Sequence, residues 1–258
     1  MIKLSALIIT FNEEKNIARC LDSLVEVADE IIVVDSQSND KTIEICEQKG
    51  AKVVQREFTN FVEQKNFAVS QASYDYVLSI DADELLSPEL ISSIKKTKEN
   101  WKYDAYEMKR LNYYCGQWIK HCGWYPGWKP RIFDRRKGHW TGILVHETLQ
   151  MDSGTTMGQL EGDLLHYAYH SVAEHILKTN RYTDLTTQEA ISKGKKSSLI
   201  KIWLNPKIRF FRDYIVKGGF RDGYYGYIIC SISALATFLK YSKLLQHQRD
   251  QKLKKLNN

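Results

Sequence analysis

Glycine is missing where a dinucleotide- or triphosphate-binding sheet needs it. The first strand-to-helix turn reads Thr10-Phe11-Asn12-Glu13-Glu14, with no G-x-G-x-x-G fingerprint, and the chain contains no P-loop. A nucleotide bound here must therefore be held by side chains and a metal. The five cysteines (Cys20, Cys46, Cys115, Cys122, Cys230) are odd in number, scattered and free of any C-x-x-C pair. That excludes a zinc knuckle and points to reduced thiols in the cytoplasm. There is no internal repeat and no low-complexity linker. The N-terminus runs directly into a strand-like segment, Leu4–Thr10, so no signal peptide is expected. The uncharged run Gly223 to Leu239, 17 residues, is at the lower limit for a spanning helix and is diluted by Ser231, Ser233, Thr237 and three tyrosines. It reads as a core or interfacial helix.

The net charge of +6 hides an asymmetry. Residues 1–100 carry 11 Lys+Arg against 18 Asp+Glu, and the rest carries 26 against 13. The basic half suits an anionic partner such as a membrane surface or a phosphorylated substrate. A nucleic-acid module fits poorly, because the positive charge is confined to the half without the acidic site.

At 258 residues the chain is long enough for a full core. Its first hundred residues alternate strand and helix. Strands are expected at Leu4–Thr10, Glu30–Val34, Lys52–Val54 and Asp75–Ile80. Helices are expected at Glu14–Val25, with Ile17, Leu21 and Leu24 on one face, at Asp40–Lys49 before Gly50, and at Phe61–Ala72. Ser87-Pro88-Glu89 opens another helix with a capping Ser and Pro at its first position. Four βα units in series predict a parallel sheet whose ligands lie beyond the carboxyl ends of the strands. Residues 101–150, rich in Trp, Tyr, Gly and Pro, read as strands and long loops. Ser171-x-x-Glu174 is a capping box opening a helix to Gly194. The division expected is 1–100 as an α/β part, 101–170 as a strand-and-loop part of the same domain, and 171–258 as a helical, basic extension.

Ser79-Ile80-Asp81-Ala82-Asp83-Glu84 follows the apolar Tyr76-Val77-Leu78. Carboxylates at i and i+2 on a strand end face one site, and hard divalent cations take such oxygen ligands. Asp-x-Asp alone is weak, since acidic turns are common.

Together with two further motifs it is specific. Leu7-Ile8-Ile9-Thr10-Phe11-Asn12-Glu13, then Ile31-Ile32-Val33-Val34-Asp35-Ser36-x-Ser38-x-Asp40-Lys41-Thr42, then Asp81-Ala82-Asp83 resembles a family-2 glycosyltransferase of the GT-A fold. The resemblance implies an α/β fold with a mainly parallel central sheet flanked by helices and a helical C-terminal extension, with residues 1–100 for the nucleotide-sugar and 101–170 for acceptor and catalysis. It implies a UDP-sugar donor, with Thr10, Glu13 and Asp35 holding the uridine, Lys65 near the nucleotide, Asp81 toward the ribose and Asp83 on a divalent metal, Mg²⁺ or Mn²⁺. The later motifs Lys129-Pro130-Arg131-Ile132-Phe133, Trp140-x-Gly142, Val145-His146-Glu147, Leu165-His166-Tyr167 and Lys178-x-Asn180-Arg181-Tyr182 resemble the subgroup of bacterial enzymes that adds a hexose to the lipopolysaccharide inner core, the β-1,4-glucosyltransferases. Transferases for capsular or exopolysaccharide acceptors remain an alternative. A related nucleotidyltransferase is another, although Thr10 to Lys15 lacks its glycine-rich loop.

Inverting transfer needs a base for the acceptor hydroxyl, charge compensation for the departing nucleoside diphosphate, and in-line placement. Glu147, after Ile143-Leu144-Val145 and in the position of the family's acidic motif, is the expected base, with Asp134 as runner-up. His166, after Leu164-Leu165, is the second metal ligand implied by the family position. Residues 201–258 hold 12 basic and 3 acidic residues. With a lipid-linked or lipopolysaccharide-core acceptor, this tail, including Lys252, Lys254 and Lys255, predicts peripheral contact with the anionic inner face of the cytoplasmic membrane. No nucleic acid is expected as partner.

Overall fold

The computed structural model describes residues 1–142 and 147–256. The chain divides into two compact units, Met1–Asn112 with Pro126–Ala168, and Tyr113–Tyr125 with Tyr169–Asn258.

The first unit begins as the periodicity predicts: β1 (Leu4–Thr10), α1 (Ile17–Leu24), β2 (Glu30–Asp35), α2 (Thr42–Gln48), β3 (Lys52–Gln55), α3 (Phe61–Gln71) and β4 (Tyr76–Asp81). Then follow along the chain β5 (Glu84–Leu86), α4 (Pro88–Glu99), β6 (Ala105–Tyr114), β7 (Gln117–Ile119), which falls in the second unit, β8 (Gly127–Asp134), β9 (Gly138–Thr141), β10 (Thr148–Met151) and β11 (Met157–Tyr169). The sheet order is β3-β2-β1-β4-β8-β6-β11-β5, with β7 pairing β6 and with β9 and β10 forming a separate ribbon. β1 pairs in parallel with both β2 and β4. Beyond β4 the sheet changes character: β8 joins β4 antiparallel, and β6 joins β8 antiparallel. The parallel half is the part written in βα units, because crossover helices leave a periodic signature that hairpin-connected strands do not.

Both faces of the parallel strands are buried, which is why they read as continuous apolar runs. On one face Ile8, Val33, Leu78 and Ile80 pack with Ile17, Leu21, Leu90 and Ile94. On the other, Leu7, Ile32, Val34 and Val77 pack with Ala68 of α3, Phe133 and Trp140. Each fully buried side chain of this size contributes about 1.5–3 kcal/mol.

Local signals set several boundaries. The Ser87 hydroxyl accepts from the Leu90 N–H, with Pro88 at the first helical position of α4. Gly162 has φ +92, and a Cβ there would lie 2.3 Å from the Leu90 nitrogen, so only glycine lets β11 pass the first turn of α4. α1 starts three residues later than its apolar spacing suggests. The Glu13 and Glu14 N–H groups donate to Thr42 Oγ1 and Asp40 Oδ2, which holds the chain in a turn before the helix.

The second unit contains α5 (Val172–Ser192), α6 (Leu199–Phe211) and α7 (Gly223–Leu256). The capping box at α5 is formed on one side only. Ser171 Oγ accepts from the Glu174 N–H, whereas the Glu174 carboxylate accepts from the His170 N–H rather than from the cap residue. Tyr114, Ile119, Cys122, Ile229 and Cys230 form the core of this unit. The uncharged run becomes part of the much longer α7. Among the described residues, this is the one helix long and apolar enough to cross a membrane by length and composition. Polar contacts tie it to α5: Lys243 Nζ donates to Asn180 O at 3.2 Å and to Thr183 Oγ1 at 2.8 Å.

His175 of α5 is buried, with Nδ1 3.0 Å from the Tyr114 hydroxyl. Burial, reinforced by the Lys178 charge, pushes its pKa down from 6.5 to about 4. The unfolded chain therefore takes up a proton that the folded chain refuses. Stability is intact above pH 6.5 and is lost as pH falls toward about 4, by at most about 3 kcal/mol. Urea midpoints measured from pH 7 to 4.5 will show this decline in the wild type and a flatter profile in His175→Phe. Equal slopes in both would assign the decline to other groups.

Candidate active site

The register of the parallel strands gathers three of the sequence-predicted residues. Thr10 pairs with Asp35 across β1 and β2, and Ile9 pairs with Asp81 across β1 and β4. Thr10, Asp35 and Asp81 thus lie in neighbouring strands at one carboxyl edge. Asp35 is fully buried, and its carboxylate accepts from both the N–H and the hydroxyl of Ser38. Ser38 Oγ in turn accepts from the Asn12 N–H, and Asn12 Oδ1 accepts from the Asn39 N–H. Asp40 caps Thr42 and accepts from the Glu14 N–H. The second motif is therefore a clasp between the loops that follow β1 and β2. Within it Asn12 and Gln37 adopt positive φ, 54° and 64°, a conformation that few non-glycine residues take. The Glu13 carboxylate accepts from Asn16 Nδ2 at 2.6 Å.

Lys65 enters from α3 and is only 2% exposed, which excludes a solvated helix charge. Its Nζ lies 3.0 Å from Asp81 Oδ1 and 3.2 Å from Glu147 Oε1, and 4.6 Å from the centre of the Trp140 ring. Trp140 is fixed by Asn66, which donates from Nδ2 to the Trp140 carbonyl and accepts at Oδ1 from its N–H. On the other side of Asp81, Arg131 Nη2 donates to Asp81 Oδ2 at 2.8 Å and to Glu84 Oε1 at 2.7 Å. Glu84 is fully buried, and its Oε2 accepts from the Asp81 N–H at 3.0 Å. Burial opposes ionisation of Asp81, but the Arg131 and Lys65 charges outweigh it and hold the carboxyl well below the usual carboxylate range.

Asp83 and His166 meet as well, with His166 Nε2 3.2 Å from Asp83 Oδ2. The other ring nitrogen, Nδ1, lies 2.7 Å from Asn112 Oδ1. With Nδ1 donating to that oxygen, a neutral ring turns a lone pair from Nε2 toward the carboxylate. Such a pair is satisfied by a proton or by a cation between them. Carboxylate oxygen and imidazole nitrogen together suit Mn²⁺, and the carboxylate also accepts Mg²⁺. The donor set fits a divalent ion. Among the described residues no group of three His, Cys, Asp or Glu side chains converges, so phosphate oxygens and water must complete any coordination shell.

The expected donor, metal and base residues fall into three groups. Lys65, Asp81 and Glu147 form one cluster; Asp83 and His166 form a pair; Thr10, Glu13 and Asp35 belong to the loop edge. Ile143, Leu144, Val145 and His146 lie outside the described residues. Asp134 is elsewhere: it pairs with Tyr76 at the opposite end of β4 and is held by Arg136. Five residues of strand, roughly 17 Å, separate that end from Asp81. Glu84 is the residue that sequence reasoning missed. Its signal is a third acid directly after Asp-x-Asp, but its counterion is 47 positions away. Buried polar atoms near the cluster, among them Thr10 Oγ1, Arg131 Nε and Trp140 Nε1, have no hydrogen-bond partner among the described residues. Such atoms are uncommon in folded proteins and suit a polar ligand.

Comparison with known proteins agrees with this architecture. Residues 5–152 match the family described as Glycosyl transferase family 2. The chain is 33% identical to a glycosyltransferase of Rickettsia bellii described as uncharacterized, over 94% of this chain and 86% of the relative. It is 30% identical to the lipopolysaccharide core biosynthesis glycosyltransferase LpsC of Rhizobium meliloti, over 95% of this chain and 93% of the relative. A glucosyl-3-phosphoglycerate synthase of Mycobacterium tuberculosis, solved with Mn²⁺, uridine diphosphate and glucosyl-3-phosphoglycerate, shares 27% identity over 44% of each chain at a TM-score of 0.36, too partial a likeness to bear on function. The chain belongs to glycosyl transferase family 2: it is a glycosyltransferase with the GT-A fold.

The buried charges make a stability prediction. Glu84→Ala leaves Arg131 with one of its two carboxylates removed in a buried site, and should destabilise the fold by about 3–5 kcal/mol. Glu147→Gln, at the partly exposed end of the cluster, should change stability by less than about 1 kcal/mol. Chemical denaturation checks both. Similar small losses for the two variants would contradict the assigned burial of the Arg131 pair.

Proposed function

We propose that this chain is an inverting, divalent-cation-assisted hexosyltransferase that moves a hexose from a UDP-sugar to the lipopolysaccharide core or a related lipid-linked glycan, at the inner face of the cytoplasmic membrane. The observation that carries the reading is the pairing of Lys65 with both Asp81 and Glu147 at the carboxyl edge of the sheet. The similarity to LpsC favours a lipopolysaccharide-core acceptor.

In this reading the loop edge at Thr10, Glu13 and Asp35 takes the uridine, and Asp81 faces the ribose while Lys65 and Arg131 fix its carboxylate. Asp83 and His166 hold the cation, which when bound offsets the negative charge of the leaving diphosphate. Glu147 accepts the proton of the attacking hydroxyl through a carboxylate oxygen. Its Oε1 is oriented by Lys65, so the base keeps a fixed direction relative to the donor side of the site.

Glu147→Gln should lower kcat by about 10²–10⁴-fold, with donor KM unchanged within about threefold. Asp83→Ala should abolish the stimulation of UDP-sugar binding by Mn²⁺ in a calorimetric titration. Near-normal turnover in excess EDTA would remove the cation from the account. A collapse of donor binding in Glu147→Gln would move that residue from base to donor ligand.

A further inference from the structure

Helix α6 carries its apolar stripe on the outside. Ile200, Trp203, Leu204, Ile208 and Phe211 recur at helical spacing, the pattern that normally faces a core. Yet no residue of α6 is buried, and Ile200 and Trp203 are 72% and 65% exposed. The stripe continues past the helix through Ile215, Val216 (70% exposed) and Phe220 to Tyr224. Exposed apolar residues are thus concentrated along this one segment rather than scattered singly over the chain, and such concentrations mark interaction sites.

Charge indicates the partner. Between Lys195 and Arg249 the only acids are Asp213 and Asp222, and both are buried. Asp213 is neutralised by Arg209 and Arg212, and Asp222 is bound by the N–H and the ring of His121. The solvent therefore meets no carboxylate in this segment, but it does meet Lys195, Lys196, Lys201, Lys207, Lys217 and Arg221. Lys207 Nζ lies 3.5 Å from the centre of the Trp203 ring, over its face, and a Trp with a basic neighbour is a pairing that suits a lipid headgroup boundary. A second copy of the chain suits this face poorly, because a two-fold interface would set these cations against themselves.

We infer that α6 and the segment from Ile215 to Tyr224 form a docking surface for an anionic lipid bilayer, lying in its headgroup plane with the apolar stripe inserted. The surface serves the lipid-linked acceptor and rests on the preceding reading for that role. It moves the expected membrane contact from the C-terminal lysines to α6.

The test uses the full chain and sedimentation with vesicles of phosphatidylcholine, alone or with phosphatidylglycerol. The wild type should bind the anionic vesicles, bind the neutral ones at least about tenfold more weakly, and be released by high salt together with alkaline carbonate. Ile200→Asp with Trp203→Asp should reduce anionic binding by at least about tenfold, with circular dichroism and melting temperature unchanged because both positions are exposed. Lys252→Gln with Lys254→Gln should bind within about threefold of wild type. Wild-type binding in the α6 variant, or loss confined to the lysine variant, overturns the inference. So does retention after carbonate, which would mean a spanning helix, or a wild-type dimer that ignores vesicles and dissociates in the α6 variant. UDP-sugar turnover measured in parallel separates the two readings: vesicle binding without turnover sinks the sugar transfer alone, and turnover without vesicle binding sinks this surface alone.

Discussion

An ammonium group that is almost wholly removed from water must have carboxylates beside it, and at Lys65 this requirement organises the candidate site. The cost of burying a bare charge is many kcal/mol, so Lys65 is sustained chiefly by its ion pair with Asp81, while the partly exposed Glu147 also reaches its Nζ. Asp81 arrives at the end of β4, Lys65 from α3, and Glu147 from the stretch before β10. A single cation thus holds three distant pieces of chain in one register. Arg131, from the adjoining strand β8, repeats the arrangement between Asp81 and Glu84. Removing one member of such a network leaves its partners buried and unpaired, which gives the arrangement its geometric precision.

The loop clasp serves the same end by different means. Ser38, Thr42 and Asp40 accept from the N–H groups of Asn12, Glu13 and Glu14 respectively, and Asp35 holds Ser38 in place. Residues that a motif comparison reads as ligand contacts are thus also the ties that hold two loops together. Rigid loops at the carboxyl edge of a parallel sheet make a preformed platform, and preorganisation lowers the entropic cost of binding a flexible sugar nucleotide. Thr10, buried with a hydroxyl that has no partner among the described residues, is the point where that platform has polar capacity left over.

Much of this was legible in the sequence wherever the signal is local. The strands of the parallel half and the caps at Ser87 and Ser171 follow from patterns within a few residues. Asp83 with His166, and Lys65 with Asp81, were named separately, but their pairing depends on contacts spanning many positions that periodicity does not encode. The role of Glu84 as a counterion is not legible for the same reason, and α1 is shorter than its apolar spacing implies because the clasp that delays its start is made by residues 26 to 29 positions away. α6 is the sharpest case. Its apolar spacing reads identically whether the stripe points inward or outward, and only the packing of neighbouring helices decides between them.

The central claim is that Lys65 and Glu147 act as one unit in hexose transfer, and a double-mutant cycle tests it most directly. Turnover of the UDP-hexose substrate is compared in wild type, Lys65→Met, Glu147→Gln and the double variant. If Lys65 works by orienting Glu147, the double variant is no slower than Glu147→Gln alone, within about threefold. If the two losses multiply, the residues act independently, and the pairing seen in the structure is not what positions the base.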